Sequence, residues 1–200
     1  MLATAMVALG IQPIYTAVDS WLGGVSVANL LLRFISFALF LLLGKILARV
    51  YTDSLVAEWL IAGRPGLWAC GLASGLTLGA FLLGAFDNSS GQLAQNAASV
   101  VYTLTWRFYL SYVSAVLLSV LIPVVFDITR SDSFRWSAIL QSLGYLMVFL
   151  IPFATLAKIG QLWDSDHFVR VLTYGSVIFV AAGFMIGWIV ARRERQAQIK

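Results

Sequence analysis

Charge is what this chain has least of. Only 11% of its 200 residues are Asp, Glu, Lys or Arg, against about 25% in a soluble domain, and that shortfall excludes the globular class. Cysteine is nearly absent. Cys70 stands alone in an apolar stretch, so it forms no intramolecular disulfide and behaves as a small hydrophobe. Histidine is as scarce: His167 lies beside Asp164 and Asp166 in a connecting segment, the pattern of a solvated loop rather than a metal or acid–base site. No metal-ligand spacing, phosphate loop or nucleophile elbow occurs, so neither an enzyme nor a bound cofactor or metal is expected. The net charge of +4 comes from basic residues scattered at the ends of apolar runs, which argues against a nucleic-acid partner. The first cationic side chain is Arg33. The basic start of a signal peptide is therefore missing, and Leu2 to Val18 reads as a retained span.

What fills the sequence is apolar. Hydrophobic residues make up 60% and the mean hydropathy is +0.90, with seven Trp and seven Tyr suited to the headgroup level. A span needs about 20 apolar residues to cross a core of about 30 Å. Six segments qualify, at 2–18, 25–46, 66–86, 98–126, 137–157 and 169–191. The expected fold is an all-α bundle of six transmembrane helices, one domain over residues 1–200. Nine Lys and Arg fall in the connections on one side and two, Lys158 and Arg170, on the other. By the positive-inside bias both termini are cytoplasmic, in the inner membrane of a prokaryote. Between the second and third spans, Leu55, Val56, Trp59 and Leu60 share a face opposite Asp53, Ser54 and Glu58. That reads as a short interfacial helix over about 53–62, capped by Asp53 and stopped at Gly63–Gly66.

Three features carry functional weight. Arg33 and Arg107 lie inside apolar spans, where a charge costs roughly 3 kcal/mol on insertion scales. No Asp or Glu lies within any span to pair with them. Arg33 sits about 12 Å below the entry of its span at Val25, at 1.5 Å per residue, and Asn29 shares its helix face. One reading is snorkelling to phosphates or pairing with Asp19 or Asp87. The other is an outward-facing site for an anionic solute, a lipid phosphate or a partner's carboxylate. Tyr102, Trp106, Tyr109 and Tyr112 around Arg107 read as interfacial belt and core.

The second feature is small residues at helical spacing. Gly71, Gly75 and Gly79 stack on one face of the third span, and Gly183 and Gly187, with Gly175, repeat the theme in the sixth. Packing within one bundle is the first expectation for these faces, and an oligomer meeting through them is the second. Third, the even-numbered spans each carry an arginine near the start (Arg33, Arg107, Arg170). Three diverged helical hairpins would produce this, and so would chance in so biased a composition. Pro123 and Pro152 interrupt two spans and read as kinks or hinges.

The stretch from Tyr15 to Arg49, YTAVDSWLGGVSVANLLLRFISFALFLLLGKILAR, resembles the opening spans of polytopic membrane proteins of high-GC bacteria that carry the label of transporter. The likeness rests on the turn at Val18 to Gly23, the Asn29-Leu30 pair and the small-residue-rich helix after it, and covers under a fifth of the chain. It implies a bacterial membrane protein. Two function classes follow from the residues. In one, the chain is a channel- or transporter-like conductor of a small anionic solute. In the other, it is a non-catalytic subunit, regulator or scaffold that recognises another membrane protein. The lipid bilayer is a partner in both, and so is either a second copy of the chain or a membrane complex.

Overall fold

The computed structural model describes residues 27–52, 55–85, 96–160 and 166–198. These residues form six α-helices: α1 (Val27–Thr52), α2 (Leu55–Ala62), α3 (Arg64–Leu82), α4 (Ala97–Phe126), α5 (Asp132–Ile159) and α6 (Asp166–Gln198). No strand occurs among the described residues. In hydrocarbon every backbone N–H and C=O must be satisfied within its own segment, so an apolar run of this length has helix as its one open-chain solution. Five stretches are long and apolar enough to cross a membrane: Val27–Tyr51, Val56–Leu82, Ala97–Phe126, Asp132–Ile159 and Asp166–Ile189. They overlap the second to sixth expected spans, the stretch Val56–Leu82 also taking in most of the expected interfacial helix. The expected span at 2–18 lies outside the described residues, as do Asp53, Ser54, Asp19 and Asp87.

The helices outrun the apolar segments. α1 continues six residues past 46, through Arg49, and α6 runs on through the basic stretch after Ile189. Lys, Arg, Glu and Gln are good helix formers, so polarity ends a span without ending a helix. α2 and α3 are also less separate than the sequence suggests. Only Gly63 divides them, and hydrogen bonds cross the break from Gly63 N to Trp59 O and from Leu67 N to Gly63 O. The expected interfacial helix thus feeds directly into the next span. Pro123 and Pro152 both lie inside unbroken helices.

The chain divides into two compact units. The first holds residues 1–43 and 59–110. Its described core gathers Leu30 of α1, Ala80 of α3, Ala85 in the turn after α3 and Tyr102 of α4, with Phe34, Phe81 and Ala98 packed against them. Phe37 meets Tyr109 edge to face at 5.0 Å. α3 ends in a left-handed turn at Gly84, φ 82°. There Ala85 N reaches Ala80 O and Gly84 N reaches Phe81 O, a Schellman closure whose apolar contact is Ala80 with Ala85. Asn96 begins α4. Its side-chain oxygen accepts from Ser99 N at 2.8 Å, while its amide donates to Gly84 O at 2.8 Å. The end of one helix and the start of the next are so fastened together.

The second unit holds residues 44–58 and 111–200. Here α5 and α6 run side by side, with small residues where they touch. Gly144 of α5 lies against Val180 and the Ser176 carbonyl, and Gly183 of α6 lies against Gln141 and the Ser137 carbonyl. Ser137 Oγ donates to Gly183 O at 2.7 Å. Ser111 of α4 donates to Phe149 O of α5 at 3.1 Å. At the end of α1, Arg49 and Lys45 both pair with Glu58 of α2. Arg135 Nε donates to Val125 O at 3.0 Å, closing the end of α4.

Candidate functional site

In the first unit α1 and α4 bring the embedded arginines into one neighbourhood. Arg33 comes from the second turn of α1, about 9 Å along from Val27 at 1.5 Å per residue. Its guanidinium carbon lies 3.9 Å from the ring centroid of Trp106 and 5.4 Å from that of Tyr102. These two aromatics are four residues apart on α4, so they lie on one face of that helix and both face Arg33. Asn29, four residues before Arg33, aligns with it on α1, and its side-chain oxygen accepts from the Tyr102 hydroxyl at 3.4 Å. Arg107 follows Trp106 directly, and its charge acts against that of Arg33. Two of the three candidates, Arg33 and Asn29, thus meet a shared ring wall, with Arg107 electrostatically coupled to them.

Arg33 is the better defined of the two cations. Its Nε is buried with no hydrogen-bond acceptor among the described residues, and the indole N–H of Trp106 is likewise buried without an acceptor there. The ion pairs among the described residues join Lys45 and Arg49 to Glu58, Arg130 to Asp127, Arg135 to Asp132, and Lys158 to Asp166. Arg33 takes part in none of them. A cation–π contact contributes about 0.5–2 kcal/mol, and a central arginine costs roughly 2.5–3.5 kcal/mol to insert. The ring wall therefore offsets part of that cost.

The aromatic wall is the part that sequence reasoning missed. Tyr102 and Trp106 read as belt and core, and Tyr102 is indeed fully buried. Their four-residue spacing on the helix that carries Arg107 was the available signal.

The glycines divide. Gly183 lies against Ser137 and Gln141 of α5, and Gly187 against the Ser137 hydroxyl at 3.1 Å. Gly71, Gly75 and Gly79 differ: a Cβ built on any of them meets nothing within 4 Å among the described residues. α3 buries a different face, formed by Gly66, Ala73, Thr77 and Ala80. Among the described residues nothing covers the Gly71–Gly79 face, and the expected span at 2–18 lies outside them. α3 has small residues on two faces, and spacing alone does not say which one turns inward. His167 is exposed beside an ion pair of Lys158 with Asp166. No cluster of three or more His, Cys, Asp or Glu suited to a metal occurs among the described residues.

Comparison with protein-family models, curated proteins and solved structures gives no match.

Proposed function

We propose that this chain is a multi-pass membrane protein that holds a small anionic group at Arg33, Asn29, Tyr102 and Trp106, with Arg107 adding positive potential, and that it works as a channel- or transporter-like conductor of that group. One observation carries the reading: Arg33 is stacked on Trp106 with its Nε turned to no acceptor among the described residues. An arginine fixed by a π face keeps its in-plane N–H groups available, and the planar fork suits a carboxylate or phosphate. The bound group is an anionic solute or a lipid phosphate. Calorimetry on the purified protein, with inorganic phosphate and a short-chain phosphatidylglycerol as separate probes, tells the two apart. Arg33→Gln is expected to weaken the preferred probe about tenfold or more, the scale of one charge-assisted hydrogen bond. Arg33→Lys is expected to fall between, since it supplies a point charge without the fork. A Gln variant that binds as tightly as the native chain sinks the proposal. Chloride or phosphate efflux from vesicles then tests conduction itself.

A second reading has its own support. The open Gly71–Gly75–Gly79 face of α3 is a surface on which another helix backbone could approach closely. On that reading the chain is a subunit or scaffold in a membrane complex. Native mass spectrometry of the purified protein decides between them, because a fixed hetero-complex favours the subunit reading and a homo-oligomer favours conduction.

A further inference from the structure

In the second unit the hydroxyl protons of one hydrogen-bond chain can be assigned. Ser137 Oγ donates to Gly183 O at 2.7 Å. The 3.0 Å contact between the Tyr51 hydroxyl and Ser137 Oγ is therefore donated by the tyrosine. Tyr51 keeps only lone pairs, and Gln141 Nε2 donates into them at 2.8 Å. The chain ends on Gln141 Oε1, an acceptor with no donor among the described residues, on a side chain 1% exposed.

Two more orphans belong to the same unit. One turn along the same face of α5, the Tyr145 hydroxyl has no partner among the described residues, and Tyr145 is 2% exposed and within electrostatic range of Tyr51. Ser114 of α4, 0% exposed, is the third. The Ser111–Phe149 bond sets the register of antiparallel α4 and α5. One turn on from it, Ser114 stands at the level of Tyr145. Hydroxyls in these helices usually bond back to their own backbone, as Ser36 does to Leu32, Thr155 to Ile151 and Thr173 to Val169. Ser114 does not, which leaves its proton for something outside its own helix.

We propose that Gln141, Tyr145 and Ser114 form a buried binding site for a small neutral hydrogen-bonding molecule, occupied by water in the resting protein. The donor and acceptor count selects the class. Gln141 Oε1 requires a donor, which excludes a simple anion. α4 contains no acidic residue and α5 only Asp132 at its first position, so nothing nearby neutralises a cation. Water supplies two donors and two acceptors and suits one amide oxygen and two hydroxyls. An orphaned polar atom in an apolar interior is expensive, and three in one neighbourhood are relieved together by a single guest.

The test turns on a sign. If the three atoms are dry, Tyr145→Phe and Ser114→Ala each delete an unpaired polar group, and the thermal midpoint of the full chain in detergent rises or stays put. If water bridges them, each change lowers the midpoint by about 2 °C or more. The double variant then loses less than the sum, because the bridge is already broken by the first change. Ser119→Ala removes a hydroxyl bonded to its own helix at Val116 O and serves as the control, with little change expected. X-ray hydroxyl-radical labelling reads the guest directly: Tyr145 should be modified in the native chain and protected in Ser114→Ala. Midpoints that rise or do not move, or an unlabelled Tyr145, overturn the proposal. So does a midpoint raised by sodium or potassium over choline at equal ionic strength, which would mark a cation site.

Discussion

At position 66 a methyl group would sit 1.8 Å from the carbonyl oxygen of Ile61 and 2.3 Å from its carbon. Both atoms are backbone, so nothing there yields as a flexible side chain would. Pro65 beside it has no N–H to donate, and the chain turns from α2 into α3 with Gly66 pressed against the end of the preceding helix. Gly66→Ala is accordingly expected to cost about 1–3 kcal/mol or more through overpacking, seen as lost folded yield or a lower thermal midpoint. Gly75→Ala is the matched contrast. Its Cβ enters open space, and the gain in helix propensity is about 0.5–1 kcal/mol, so an equal or higher midpoint is expected. Two glycines nine residues apart thus carry opposite signs, and a size-exclusion and melting comparison of the pair reads the difference.

Among the helices, α3 and α6 both carry glycine series, and they use them differently. Gly183 of α6 approaches the backbone of α5 so closely that a Cβ lies 2.5 Å from Gln141 Cγ and 3.0 Å from Ser137 O. Gly183→Leu must push α5 and α6 apart and break the Ser137–Gly183 bond, a loss of about 2 kcal/mol or more. Thermal unfolding in detergent should show a clear drop. Gly75→Leu on α3 meets no such neighbour among the described residues. Its midpoint should hold, and any change should appear in oligomer mass instead, as loss of a homo- or hetero-assembly in native mass spectrometry. A large drop in the midpoint of a monomeric Gly75→Leu protein would mean that the face is packed in a way the structure does not contain.

For the molecule as a whole, the arrangement of charge along the chain predicts sidedness. Of the eleven Lys and Arg in the connections or at the ends of the expected spans, nine fall on one side. A reporter fused after Lys200 is expected in the cytoplasm. Single cysteines at Ser90 and Ser165, in a chain lacking Cys70, are expected to react with an impermeant maleimide from outside. Reaction of either only from the cytoplasmic side would overturn both the orientation and the count of six spans. The five helices long and apolar enough to span meet the length requirement of a multi-pass protein, and the labelling supplies the direction that length cannot.

What the sequence determined by itself was the kind of secondary structure and where most of it lies. Apolar runs of about 20 residues leave the backbone no alternative to helix in lipid, and that constraint is local, so the spans at 25–46, 66–86, 98–126, 137–157 and 169–191 all have their helices. Single residues were also readable where chemistry is rare. Arg33 and Arg107 stood out as candidates because no Asp or Glu lies within the apolar runs, and Asn29 was added to them from its four-residue spacing to Arg33. Facing was not readable. In a soluble helix the polar side marks solvent, but in a helix apolar all round composition does not separate the buried face of α3 from its other faces. Gly71, Gly75 and Gly79 and the buried Ala73, Thr77 and Ala80 carry much the same signal. Long-range partners were out of reach for the same reason. Trp106 under Arg33, and Gln141 joined to Tyr51 and Ser137, depend on contacts separated by 73 and about 90 residues of chain. Only the packing of whole helices against one another decided them.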